Sequence, residues 1–169
     1  MATIPLKTNK FKPIPEGVHV FRIYDVEYSE IFGRMSIYLV NAQGKTHIER
    51  FTLMRTDGTP NDSAYGALAF FAKTALNNFD LEEIDHTGLI DHYIKANVVH
   101  NVQTNKNDPT KTVTFINLTE KWSADGFETE PCERALTLCA DDRKKVEADK
   151  NAKETKVDTD NVDLSALLN

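Results

Sequence analysis

The chain is short of most features that make a function easy to read. It has two cysteines, Cys132 and Cys139, both late in the sequence. Two thiols without a second pair make neither a disulfide framework nor a zinc site, and free thiols point to a reducing cytoplasm. No apolar run approaches the roughly 18 residues of a membrane span, and residues 1–17 hold no apolar stretch of the signal-peptide kind. No membrane partner is therefore expected. The histidines, His19, His47, His86, His92 and His100, are scattered. His86 and His92, with Asp85 and Asp91, come nearest to a ligand set, but their spacing matches no known metal pattern. A phosphate-cradling glycine loop, a nucleophile elbow and a paired-carboxylate motif are all missing. These absences predict a non-enzyme with no cofactor and no metal.

One sign of charge is also scarce where it would help. The net charge is −6, which argues against a generic nucleic-acid binder. The excess is not evenly spread. Residues 1–122 carry 13 Lys/Arg and 14 Asp/Glu, whereas residues 123–169 carry 7 and 12. A nearly neutral body can still present a local basic groove.

What is present reads as one domain of mainly β structure. The length of 169 residues and the 40% hydrophobic content are enough for a single core. The clearest helix signal covers residues 62–79. Asp62 or Ser63 serves as its cap, and Ala64, Leu68, Phe71, Ala72, Ala75 and Phe79 recur at spacings of three and four. Asn77 and Asn78 end it. Three strand-like runs precede this helix and two follow.

Residues 1–16, with Pro5, Pro13 and Pro15 among Lys7, Lys10 and Lys12, form an extended arm, either a disordered terminus or one that touches a ligand. Residues 17–28 are the first strand. Val18, Val20, Tyr24 and Val26 share one parity, Phe21 and Ile23 the other, so both faces are partly apolar. A long, bulged strand shared between two sides of a small barrel has this pattern. In the second strand, residues 34–40, Met35, Ile37 and Leu39 face the core and Ser36 and Tyr38 face outward. A turn at residues 41–44 leads to the third strand, residues 45–54, whose parity is ambiguous because Ile48 and Phe51 oppose each other. The fourth strand, residues 93–102, puts Ile94, Ala96 and Val98 on one face. A polar loop, residues 103–110, leads to the fifth, residues 111–119, which Lys121 and Trp122 end. Residues 131–150 suit a charged helix with Leu136, Cys139, Arg143 and Val146 on one side. Residues 151–163 read as a polar linker.

Five short strands with one helix between the third and fourth match the five-stranded Greek-key barrel called the OB-fold, in which the helix closes the bottom. Residues 14–122 resemble the OB-fold single-stranded DNA-binding proteins, particularly those encoded by bacteriophages. The resemblance rests on the Pro15-Glu16-Gly17 opening of the first strand, the apolar helix after a polar turn, and the long loop between strands four and five. It implies an arm at 1–16, an OB domain at 17–122 and a charged, partly helical or disordered acidic tail at 123–169.

Single-strand binding needs exposed aromatic faces for bases and cations for phosphates. The resemblance assigns these roles to Tyr28 and Phe32 near the first loop, Arg34 and Tyr38 on strand two, and Arg50 and Phe51 on strand three. Arg55, Lys95, Lys106, Lys111 and Trp122 complete the set. Phe32 and Phe51 also suit the core, Trp122 the barrel's end, and the lysines an ordinary solvated surface. The chain ends with Leu164, Leu167 and Leu168 at i, i+3 and i+4 behind Asp158, Asp160 and Asp163. This is similar in design to the family's C-terminal tip, which docks onto replication and repair enzymes, but the tip here lacks the family's clustered Asp and terminal Phe. The expected partners are thus single-stranded DNA and, through this tail, replication or recombination proteins in the cytoplasm, the host's if a phage encodes the chain. A homo-oligomer stays open. The competing reading is an OB-fold protein-interaction module, for instance a phage factor that engages a host enzyme. A mobility shift with oligothymidine separates the two.

Overall fold

The structure, a computed structural model, describes residues 14–142. Five strands, β1 (Gly17–Ser29), β2 (Arg34–Asn41), β3 (Thr46–Thr52), β4 (Tyr93–Thr104) and β5 (Thr112–Ala124), form one antiparallel sheet in the order β3-β2-β1-β4-β5. The helix α1 (Asp62–Ala75) lies between β3 and β4, and a short helix α2 (Glu133–Thr137) follows β5. The result is a mainly β, open five-stranded sheet with few helices. Among the described residues no ladder joins β3 to β5.

β1 is shared between two neighbours. Residues 17–22 pair with β4 and residues 21–29 with β2, with a register shift between Ile23 and Asp25. The extra residue at the shift is Tyr24. A bulge reverses strand parity from that point on, so Val26 joins Phe21 and Ile23 in the core rather than opposing them. Met35, Ile37 and Leu39 are buried as their alternation predicts. Ile94, Ala96 and Val98 likewise share the core face, and Leu118 meets Val98 across the β4–β5 ladder. The strand does not stop before Lys121 and Trp122, because Lys121 to Ala124 continue pairing with β4. At the other end β1 stops opposite Val98. Residues 99–104 and 112–117 therefore run on as a two-stranded ribbon, with Val102, Val113 and Phe115 exposed.

α1 is capped by Asn61, one residue before the expected caps, whose Oδ1 accepts from the Ala64 N–H at 3.3 Å. It ends before Asn77, which takes the left-handed conformation (φ 49°), so Phe79 falls outside the helix and is exposed. Leu68, Phe71, Ala72 and Ala75 are buried. The helix reaches both edges of the sheet. Phe71 packs on Phe51 of β3, and the Ser123 hydroxyl of β5 donates to Thr74 O at 2.7 Å. Gly33 sets the turn between β1 and β2. Its φ is +59°, and a Cβ there would stand 2.5 Å from Met54 Cβ, so a side chain does not fit. At the start of the described chain, Ile14 is buried in the core, and the His100 N–H donates to Glu16 Oε1 at 2.9 Å.

Two expectations on the outer face of β1 and β2 are corrected. Tyr38 does leave the core side, but it is only 3% exposed. Its ring lies against Tyr24, centroids 6.0 Å apart, and the chain after β5 packs on the same face. The Cys132 N–H donates to Ala42 O at 2.8 Å. Arg22, buried on that face, donates from Nε to Ala135 O at 3.0 Å and from Nη2 to Leu138 O, and pairs with Asp91 at 2.7 Å. The expected long helix is also shorter. α2 stops at Thr137 because Leu138 is extended (ψ 132°); Ala135 in the helix and Leu138 just past it are buried, whereas Leu136 and Cys139 are exposed. Residues 140–142 form only a single 3-10 turn, and residues 143–150 of the expected helix, with Arg143 and Val146, lie outside the described residues.

Candidate nucleic-acid interface

Since Ile94 and Ala96 turn inward, Lys95 between them faces the opposite side of the sheet. Its cross-strand neighbours are Trp122 of β5 and Val20 of β1. Trp122 is 41% exposed, and Val18 beside it on β1 is exposed as well. Past β5 the chain folds back over this face. Phe127 meets Tyr93 edge to face, centroids 5.2 Å apart at 87°, and this contact places Glu128 with its Oε1 2.7 Å from Lys95 Nζ. Val18, Lys95, Trp122 and residues 123–128 line an open cleft of about 940 Å3. A flat indole beside a cation in an open cleft suits a planar ring that carries a phosphate.

A second set sits at the tip between β1 and β2. Phe32 is 63% exposed, and the Arg34 guanidinium carbon lies 5.9 Å from the centre of its ring. The Ser29 hydroxyl accepts from the Phe32 N–H at 3.4 Å and shapes the turn. Tyr28, part-exposed, has its ring 5.8 Å from that of His86. Arg34 stands opposite Thr52 in register, and Ser36 opposite Arg50. Arg50 and Arg55 are both exposed.

The other expected residues separate from these two sets. Lys106 and Lys111 lie at the far end of the ribbon. Thr104, nine positions along β4 from Lys95, is about 30 Å away at the usual rise per residue. Phe51 is buried against Phe71, and Tyr38 is buried as described, so neither ring offers a face to a ligand. Asp158, Asp160, Asp163, Leu164, Leu167 and Leu168 lie outside the described residues. Val18, Phe127 and Glu128 belong to the cleft but lie outside the expected set. Only the alternation of β1 marks Val18 as outward, and nothing local marks the fold-back that brings Glu128 to Lys95.

Three turns carry a further electrostatic signature. Asp57, Asp85 and Asp108 each accept from the hydroxyl of the threonine two residues on, at 2.6, 2.8 and 2.6 Å. Those hydroxyl bonds, then the same threonines' N–H groups, hold the three carboxyls below the usual aspartate range. Among the described residues no group of three or more His, Cys, Asp or Glu is placed to hold a metal. None of the described helices is long and apolar enough to cross a membrane. Comparison of the chain with known protein families and with curated proteins returns no match.

Proposed function

We propose that the chain binds single-stranded DNA on an OB-type scaffold. The observation that carries this reading is the pairing of Trp122 with Lys95 across β4 and β5, on an open cleft outside the core. An exposed indole gives a base a stacking face, and the neighbouring ammonium suits the phosphate that follows it. Phe32 with Arg34 repeats the combination at the β1–β2 tip. Three features support the barrel reading: the strand order, the division of β1 between β2 and β4, and the reach of α1 to both edge strands. In this reading the protein coats and protects single strands during DNA replication, recombination or repair, and its acidic-then-apolar end recruits partner proteins.

Trp122 is the only tryptophan, so its emission tests the proposal directly. Titration with oligothymidine should quench it in a saturable way, more strongly than duplex of the same length, with affinity that falls as salt rises. No quenching, or equal binding of duplex, overturns the reading. The competing protein-interaction reading draws on one observation, the exposed Val102, Val113 and Phe115 of the ribbon. It predicts that oligothymidine leaves Trp122 emission unchanged.

A further inference from the structure

The proposed function leaves the two acids that line the cleft, Asp125 and Glu128, without a role, and of these Glu128 has its carboxylate on the site's lysine. Its carboxylate lies on Lys95, the cross-strand neighbour of Trp122, with Oε1 2.7 Å from Nζ. The placement is built, since Phe127 next to it is pinned edge to face on Tyr93. The pair is also wet, with the two side chains 31% and 62% exposed. Wet ion pairs are weak and readily exchanged.

We infer that Glu128 is a further residue of this site that sets its affinity, as an internal competitor for phosphate. This deepens the single-strand reading and rests on it. The carboxylate holds the position on Lys95 that a backbone phosphate takes when the adjoining base stacks on Trp122. Binding is then an exchange in which the phosphate displaces the carboxylate and Glu128 returns to water. A tethered acid competes well with a single nucleotide, which brings one phosphate. It competes poorly with a strand, which brings a row of phosphates and further bases to the cleft. The exchange favours strands over free nucleotides.

The test compares Glu128→Gln with Glu130→Gln in the full chain. Glu130 is an exposed acid two residues on that does not line the cleft. Both variants remove one negative charge. Binding to oligothymidine is read from Trp122 emission at fixed moderate salt. Glu128→Gln should bind about two- to fivefold more tightly, the range set by the usual strength of such a pair, and Glu130→Gln should match wild type. The gain should vanish in a Lys95→Gln background. Glu128→Ala, expected to act in the same direction, guards against an effect peculiar to the amide. An unchanged or weaker Glu128→Gln, or a gain that persists without Lys95, overturns the inference while single-strand binding stands. If neither wild type nor Glu128→Gln binds, the single-strand reading falls and takes this inference with it.

Discussion

The rings of Phe51 and Phe71 meet edge to face, with centroids 5.9 Å apart and planes at 70°. This contact fixes α1 to the edge strand β3, while Thr74 on the same helix receives the Ser123 hydroxyl of β5. Phe71 is fully buried. Its replacement by alanine should cost about 3–5 kcal/mol, the usual range for truncating a core aromatic. Thermal or denaturant unfolding measures this directly. A variant that melts with wild type would mean that α1 does not carry the core.

Tyr38 and Trp122 should behave as opposites. Tyr38→Ala removes a ring that is nearly inaccessible and packed on Tyr24, so it should lower the unfolding midpoint. Any loss of single-strand binding should follow the unfolded fraction. Trp122→Ala should leave the midpoint close to wild type and weaken binding by about 1–3 kcal/mol, the range for loss of one stacked base. A folded Tyr38→Ala protein with specifically impaired binding would contradict the assignment.

At the β1–β2 tip, Arg34 supplies charge above the exposed Phe32 ring. Arg34→Gln should weaken binding for all sequences alike and reduce the slope of log affinity against log salt by about 1, as for one lost phosphate contact. An unchanged slope in a folded variant removes Arg34 from the interface.

The three Asp–Thr turns make a pH prediction. Asp57, Asp85 and Asp108 have folded pKa values below their unfolded ones. As pH falls, the unfolded chain therefore takes up these protons first. The stabilisation is complete above the unfolded aspartate value of about 4 and is lost as pH drops through the lower folded values. A triple variant, Thr59→Val with Thr87→Val and Thr110→Val, should be less stable than wild type at neutral pH. The difference should narrow across the acid range in denaturant unfolding. A constant difference at every pH would show that the threonines act other than through these carboxylates.

How far the fold was legible depends on how local each determinant is. Alternation places Met35, Ile37 and Leu39 correctly because β2 is regular. It misplaces Val26, since the bulge at Tyr24 shifts parity and arises from pairing with two partners at once. Tyr38 faces outward as its parity predicts, but residues far along the chain, including Ala135 and Leu138, pack on that face under the hold of Arg22. No window around Tyr38 contains them. Trp122 and Lys95 both belong to the expected set, yet their adjacency depends on the β4–β5 register. The break at Leu138 is invisible to helical periodicity, because its carbonyl is taken by Arg22, 116 residues earlier.

The division of β1 has a kinetic consequence. The β1–β2 and β4–β5 hairpins close through short loops, residues 30–33 and 105–111, and such hairpins form in microseconds. Their union does not share that speed. It must bring together residues as far apart as Gly17 and Val98, 81 positions along the chain, and loop-closure entropy delays that meeting. The seam between residues 17–22 and 93–98 should therefore be the late step of folding. Val18 and Trp122 line one cleft from opposite sides of that seam. In a stopped-flow refolding experiment, far-ultraviolet circular dichroism should recover first, and Trp122 emission should reach its native value only in the slow phase.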